Sequence, residues 1–106
     1  MDTQSTFPDN KVVAIGTFRN LSEQARKHIS VERIGYLLYL KDHYLTNLTY
    51  VQKCKVTDER VIEVTQNRLQ RNGMYFTKSI ISLVLQAEAQ YYASQYANEE
   101  SYDWAA

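Results

Sequence analysis

The sequence has few of the residues that form tight turns. Its 106 residues include three glycines, Gly16, Gly35 and Gly73, and a single proline, Pro8. A β-sandwich or barrel needs such residues at its many hairpins, so both folds are disfavoured. The length suffices for one hydrophobic core but not for two. We therefore expect one mainly helical domain over residues 1–106, with residues 1–10 and 98–106 flexible.

Disulfides, membrane spans and a strong net charge are also lacking. Cys54 is the only cysteine, and 12 basic residues balance 12 acidic ones. The longest apolar-rich stretch, residues 35–40, is too short to cross a bilayer, and the polar, acidic start does not resemble a secretion signal. These features predict a cytoplasmic protein with no membrane contact, and they argue against a general polyanion binder.

The residue patterns of common catalytic sites are missing as well. Neither His28 nor His43 has a cysteine or carboxylate at metal-ligand or triad spacing. The glycines are too far apart for a phosphate-binding loop, and Cys54 is expected to pack rather than react. We expect no catalytic residue, no metal and no cofactor, and hence no enzyme.

Three helices can be predicted from their capping residues and apolar spacing. Ser30 precedes apolar residues at helical intervals, which predicts a helix over residues 31–46. Thr57 is followed by two carboxylates and predicts a helix that ends at Asn72 and Gly73. Thr77 can cap a long final helix that runs through Tyr96.

Two segments have the character of strands. Residues 49–56 alternate Val51, Lys53 and Lys55 on one side with Gln52, Cys54 and Val56 on the other. The run Lys11 to Phe18 is rich in β-branched residues and contains Gly16. We predict a short strand over residues 49–56, and the run Lys11 to Phe18 is a second candidate strand.

Charge is distributed unevenly along the chain. Residues 53–78 carry six basic side chains against three acidic ones, and the residues after Lys78 include four acids and no base. A basic middle with an acidic tail is consistent with one modest surface for an anionic partner, or with chance scatter over a solvated surface.

Residues 50–92 resemble the ribbon-helix-helix family of small dimeric DNA-binding proteins. The resemblance lies in the segments 53–61 (KCKVTDERV), 71–73 (RNG) and 77–81 (TKSII). It implies that each chain adds one strand to a two-stranded ribbon, in which Lys53 and Lys55, flanked by Thr57, read bases in the major groove. It also implies that phosphates are bound at the start of the last helix by Thr77, Lys78 and Ser79. Arg71 would add a further phosphate contact.

A tri-helical or winged helix-turn-helix fits overlapping residues. Its two helices would use Tyr50, Cys54, Val56, Val61 and Val64 as apolar positions, with the 31–46 helix as the third member. Its recognition helix would, however, present carboxylates to the DNA phosphates. We therefore rank the ribbon-helix-helix fold first, a small dimeric helical domain with one short strand per chain.

The expected function is that of a sequence-specific double-stranded DNA-binding homodimer, either a transcriptional repressor or a plasmid or phage accessory factor. The alternative is a small helical inhibitor or interaction factor that holds a protein partner with a tyrosine-rich face. That alternative rests on nine tyrosines: Tyr36, Tyr39, Tyr44, Tyr50, Tyr75, Tyr91, Tyr92, Tyr96 and Tyr102.

Overall fold

The computed structural model describes the backbone of residues 10–105 and the side chains of residues 10–97. This part of the chain forms helices and contains no strand. The predicted flexibility of residues 1–9 lies outside the described residues. The helices are α1 Lys11–Asn20, α2 Glu23–Arg26, α3 Val31–Thr46, α4 Tyr50–Lys55, α5 Asp58–Arg71 and α6 Lys78–Ala105.

The predicted fold class is therefore wrong in its strand content. The mainly helical character is confirmed, but the short strand per chain, the ribbon it would form and the strands of a wing do not exist in residues 10–105. A tri-helical unit is also too small, because six helices make up this part of the chain.

The segment predicted as the ribbon strand is α4. The Thr49 hydroxyl accepts a hydrogen bond from the Gln52 backbone N–H at 3.1 Å, and the Gln52 side chain accepts one from the Thr49 N–H at 2.8 Å. This reciprocal capping box satisfies two N–H groups that the first helical turn leaves free. None of the six α4 residues is buried, so no packed face enforces the alternation seen in the sequence.

The second candidate strand, Lys11 to Phe18, is also helical and belongs to α1. Ala14 and Thr17 of α1 are buried, and Gly16 lies against the ring of Tyr91 on α6. At the end of α1, the Asn20 side-chain amide donates to the Ala87 carbonyl oxygen at 3.1 Å. Packing against α6 therefore outweighs the strand preference of the β-branched residues.

The helices predicted from capping residues are confirmed. The Ser30 hydroxyl accepts from the Arg33 N–H at 3.2 Å and begins α3, while the Thr57 hydroxyl accepts from the Arg60 N–H at 3.1 Å and begins α5. Gly73, with φ of +79°, follows the end of α5 in the left-handed conformation that favours glycine. The last helix, α6, continues beyond its predicted end at Tyr96 to Ala105.

The long helices enclose one core. α1 packs against α3 and α6, and α5 packs against the same two helices, so the four form a closed ring. Of the two short helices, α2 contributes Ala25 to the interior and α4 contributes nothing. Each large aliphatic side chain removed from water stabilises the fold by about 1.5–3 kcal/mol. The largest fully buried ones are Ile34, Leu37, Leu38, Leu69, Ile81 and Val84.

One ion pair crosses the protein interior. The Lys41 ammonium of α3 lies 2.8 and 3.0 Å from the two carboxylate oxygens of Glu88 on α6, and 2.8 Å from the exposed Asp42 carboxylate. Burial alone would lower the pKa of Lys41, but hydrogen bonds to Asp42 and Glu88 outweigh it and raise the pKa above its ordinary value. Lys41 and Glu88 therefore hold α3 and α6 together as charged partners.

Within residues 10–105, no helix combines the length and apolarity needed to cross a membrane.

Candidate nucleic-acid interface

Three adjoining grooves run along the side of the molecule where α3 meets its neighbours. The first, the Phe18 groove, has a volume of about 520 Å³ and includes Arg33 in its lining. The second, of about 300 Å³, shares Arg33 with the first and Asn72 with the third. The third has a volume of about 350 Å³. These shared residues make the three grooves one continuous surface.

Basic side chains dominate this surface, which we call the basic track. Its lining includes five lysines and arginines and two histidines, and Glu32 is the one carboxylate among the described lining residues. In a chain of zero net charge, such a local excess makes this surface electropositive. The basic residues of the track are Arg26, Lys27, His28, Arg33, His43, Arg68 and Arg71.

Two of the guanidinium groups are held in place by the fold. Arg26 donates to the carbonyl oxygens of Phe18 and Arg19 at 3.1 and 2.6 Å, at the end of α1 where the last carbonyl groups lack intrahelical partners. Its guanidinium carbon also lies 5.5 Å from the centre of the Phe18 ring. Arg68 lies over the ring of Tyr44 at 5.4 Å. Cation–π contacts of this kind fix both groups in orientation while they keep their charge.

The remaining cations of the track are open to a ligand. Lys27, Arg33 and Arg71 are exposed, and none of them takes part in an ion pair among the described residues. Exposed, unpaired lysine and arginine side chains can each neutralise a phosphate at small desolvation cost. These three residues are therefore the main candidate phosphate ligands.

The seven residues predicted as a DNA-binding site fall into two separate groups. Arg71 lies in the basic track, and Thr77, Lys78 and Ser79 follow the track residue Phe76 directly along the chain. The Thr77 hydroxyl accepts from the Ile80 N–H at 3.2 Å and so begins α6, while Lys78 and Ser79 are exposed. This half of the predicted site borders the track.

The other half lies at the opposite end of α5. Lys53 and Lys55 are exposed on α4, and Thr57 is the N-cap of α5. At a rise of about 1.5 Å per residue, α5 separates Thr57 from Arg71 by about 20 Å. Here Arg60 pairs with Glu63 at 2.9 Å, and this hydrogen bond raises the pKa of Arg60. The structure therefore does not unite the two halves into one site.

Sequence reasoning missed the larger part of the basic track. Arg26, Lys27 and Arg33 precede the segment that was considered basic, and they join Arg68 and Arg71 only through the antiparallel packing of α3 and α5. The run Arg26-Lys27-His28 beside the capping residue Ser30 was the local signal that could have drawn attention to this end.

The exposed tyrosines do not form a single face. Among the described residues they lie on α3, on α4, in the connection before α6 and on α6 itself. Tyr50 and Tyr75 are 82% and 74% exposed and lie beyond opposite ends of α5. The predicted tyrosine-rich face is thus divided among several surfaces.

No cluster of three potential metal ligands occurs in the described part of the chain, and Cys54, predicted to pack, is exposed on α4.

No family model matches this sequence, and comparisons with curated proteins and with solved structures give no match either. They neither support nor exclude a relationship to ribbon-helix-helix or helix-turn-helix proteins.

Proposed function

We propose that the protein binds double-stranded DNA through the basic track, as a dimer, and acts by occupying its site as a transcriptional regulator or a plasmid or phage accessory factor. The observation that carries the proposal is the convergence of cations from distant segments on one continuous surface. Arg26 lines the first groove and Arg71 the third, and the second groove joins them, although these residues belong to α2 and α5, which are far apart in the sequence.

The length of the track suits a DNA backbone. Its residues on α3 extend from Val31 to His43, which is about 18 Å along a helix. Phosphates follow one another at about 3.4 Å along each strand of the duplex, so such a surface spans about five of them. Lys27, Arg33 and Arg71 are then expected to release about three condensed counterions per protomer.

The protein-partner alternative has weaker support. An interface that binds a protein concentrates its aromatic residues in one central patch, whereas the exposed tyrosines here lie on separate elements.

The test is a mobility-shift and footprinting experiment on DNA fragments that flank the protein's own gene, at low and physiological salt. The track variant, Arg33→Gln with Arg71→Gln, is compared with a matched control, Lys53→Gln with Lys55→Gln. Both remove two exposed cations, but the control leaves the track intact. Circular dichroism verifies that both variants keep their helix content.

We expect the track variant to weaken DNA binding at least about tenfold. The slope of the logarithm of the binding constant against the logarithm of the salt concentration should become less steep by about 0.9 for each phosphate that is no longer neutralised. The control should retain the affinity of the unaltered protein. Equal losses of affinity in the two variants would mean non-specific attraction, and no shift at micromolar protein would reject DNA binding and favour a protein partner.

A further inference from the structure

The Phe18 groove combines an apolar floor with a basic rim. Phe18, Ile29 and Phe76 supply the apolar surface, and the charged lining consists of Arg26, Lys27 and Arg33 without a carboxylate among the described residues. Apolar surface beside charge-assisted donors suits a peptide segment that carries both aromatic and acidic side chains. The groove thus offers apolar contacts that a phosphate backbone alone does not use.

The chain itself contains a segment with this composition. Residues 98–106 (NEESYDWAA) have three carboxylates, two aromatic rings and no lysine or arginine. Their charge is complementary to the rim of the Phe18 groove, whereas two such segments would repel each other. Among possible contacts between copies, the acidic segment against the basic groove is therefore favoured over a contact between two acidic segments.

Helix α6 keeps the segment away from the groove of its own chain. α6 begins at Lys78, two positions after the groove residue Phe76, and it continues as one helix to Ala105. At about 1.5 Å per residue, residues 98–105 lie about 30–40 Å from its start. Only the segment of another molecule can reach this groove while α6 stays intact.

The described side chains of α6 beyond Tyr91 lie outside the packed core. Every side chain from Tyr92 to Ala97 is exposed, and Tyr92 and Tyr96 are 47% and 70% exposed. Most of the stability of a helix in a protein comes from tertiary packing, and the exposed part of α6 receives none from the described core. Contact with a second molecule would supply that packing.

We propose that residues 98–106 of one copy dock in the Phe18 groove of a second copy, and that the second copy returns the same contact. Such reciprocal exchange closes a two-fold dimer. The acidic side chains of the segment face Arg26, Lys27 and Arg33, and its aromatic rings cover the apolar floor. The proposal rests on the groove and the charge of the segment. Because the docked segment covers Lys27 and Arg33, DNA has to displace it from the Phe18 groove to contact these two residues.

The experiment measures the mass of the full-length chain by sedimentation equilibrium in the absence of DNA. One variant reverses the rim, Lys27→Glu with Arg33→Glu, and another reverses the segment, Glu99→Lys with Glu100→Lys. A third carries all four substitutions, and Lys53→Glu with Lys55→Glu is the matched control. Trp104 is the only tryptophan, so its fluorescence reports burial of the segment.

We expect the unaltered protein and the control to dimerise, with blue-shifted Trp104 emission in the dimer. Each single reversal should raise the dissociation constant at least tenfold, and the fourfold variant should regain dimerisation because opposite charges face each other again. A monomer at all concentrations, or a dimer that neither reversal weakens, would overturn the proposal. Failure to rescue in the fourfold variant would overturn it as well.

The failures of the two proposals are distinguishable. A monomer that still shifts DNA contradicts the segment exchange and the dimeric state but leaves DNA binding by the basic track intact. A reversal-sensitive dimer without DNA affinity contradicts the DNA-binding function alone.

Discussion

Gly16 of α1 lies directly against the aromatic ring of Tyr91 on α6. A Cβ atom built on Gly16 would overlap the Cδ1 and Cε1 atoms of that ring. The absence of a side chain therefore allows the two helices to approach closely here, and Tyr91 fills the space that results. This explains a glycine within a helix, where it is normally unfavourable.

The contact predicts that the effect of Gly16→Ala on stability depends on whether Tyr91 is present. Gly16→Ala should lower the free energy of unfolding by about 1–3 kcal/mol, because the ring must move out of a packed position. In the background Tyr91→Ala, the same substitution should be neutral or stabilising by up to about 1 kcal/mol, since alanine has the higher helix propensity. Urea unfolding of the four proteins measures both effects. An equal cost of Gly16→Ala in the two backgrounds would refute the contact.

Thr65 predicts a stabilising substitution. Its side chain is 1% exposed, and its hydroxyl has no hydrogen-bond partner within the described structure. Thr65→Val keeps the shape and removes the desolvation cost of the hydroxyl, which should raise stability by about 1 kcal/mol. The melting temperature should rise by about 4–8 °C. The exposed Thr46 provides the control, because Thr46→Val is expected to change stability by less than about 0.5 kcal/mol.

The Lys41–Glu88 pair predicts a loss of stability at alkaline pH. Because the pKa of Lys41 is raised in the folded protein, its contribution is present in full below its ordinary pKa of 10.5 and is lost as the pH rises through the folded pKa. Tyr92 acts in the same direction, because burial, aided by the charge of Glu88, raises its pKa. The measurement is the urea concentration at the midpoint of unfolding, which should fall as the pH is raised from neutral to above 10.5.

One substitution separates Lys41 from other groups that titrate at alkaline pH, and a second tests the ion pair at neutral pH. Lys41→Arg keeps a cation at these pH values, so its alkaline loss should be smaller than that of the unaltered protein. Glu88→Gln should cost about 3 kcal/mol at neutral pH, near the lower end for breaking a buried pair, because Asp42 still faces Lys41. If Lys41→Arg loses as much stability as the unaltered protein, Lys41 is not the titrating group.

Two threonine caps predict unequal effects from the same substitution. Thr57→Ala removes the cap of α5, whose buried face includes Val61, Thr65 and Leu69, and should cost about 1 kcal/mol. Thr49→Ala removes the cap of α4, which buries nothing, and should leave the global melting temperature nearly unchanged. Instead, amide exchange should accelerate within α4 alone. Equal shifts in melting temperature would show that α4 contributes to global stability.

Helices with a capped start and a buried face could be predicted from the sequence. Ser30 and Thr57 both cap helices in the structure, and the aliphatic residues after Ser30, such as Ile34 and Leu37, lie in the core. In these segments the local hydrogen bonds and the apolar spacing favour the same structure, which makes the prediction robust.

The wrong predictions have a different physical origin. In α4 the alternation around Val51 had no buried face to support it, and the pairing of Thr49 with Gln52 was an overlooked helix signal. In α1 the helix packs against α6, with Gly16 against Tyr91, and this contact joins distant parts of the sequence. The basic track likewise arises from tertiary packing, so only its Arg71 end was foreseen.

The exposed α4 also makes the chain tolerant of being opened at this point. Short connections join α4 to α3 and α5, and its unfolding would uncover no core side chain. An additional domain inserted between Val51 and Lys53 would leave the ring of α1, α3, α5 and α6 intact. The fold can therefore accept an insertion at α4 without a change to its interior.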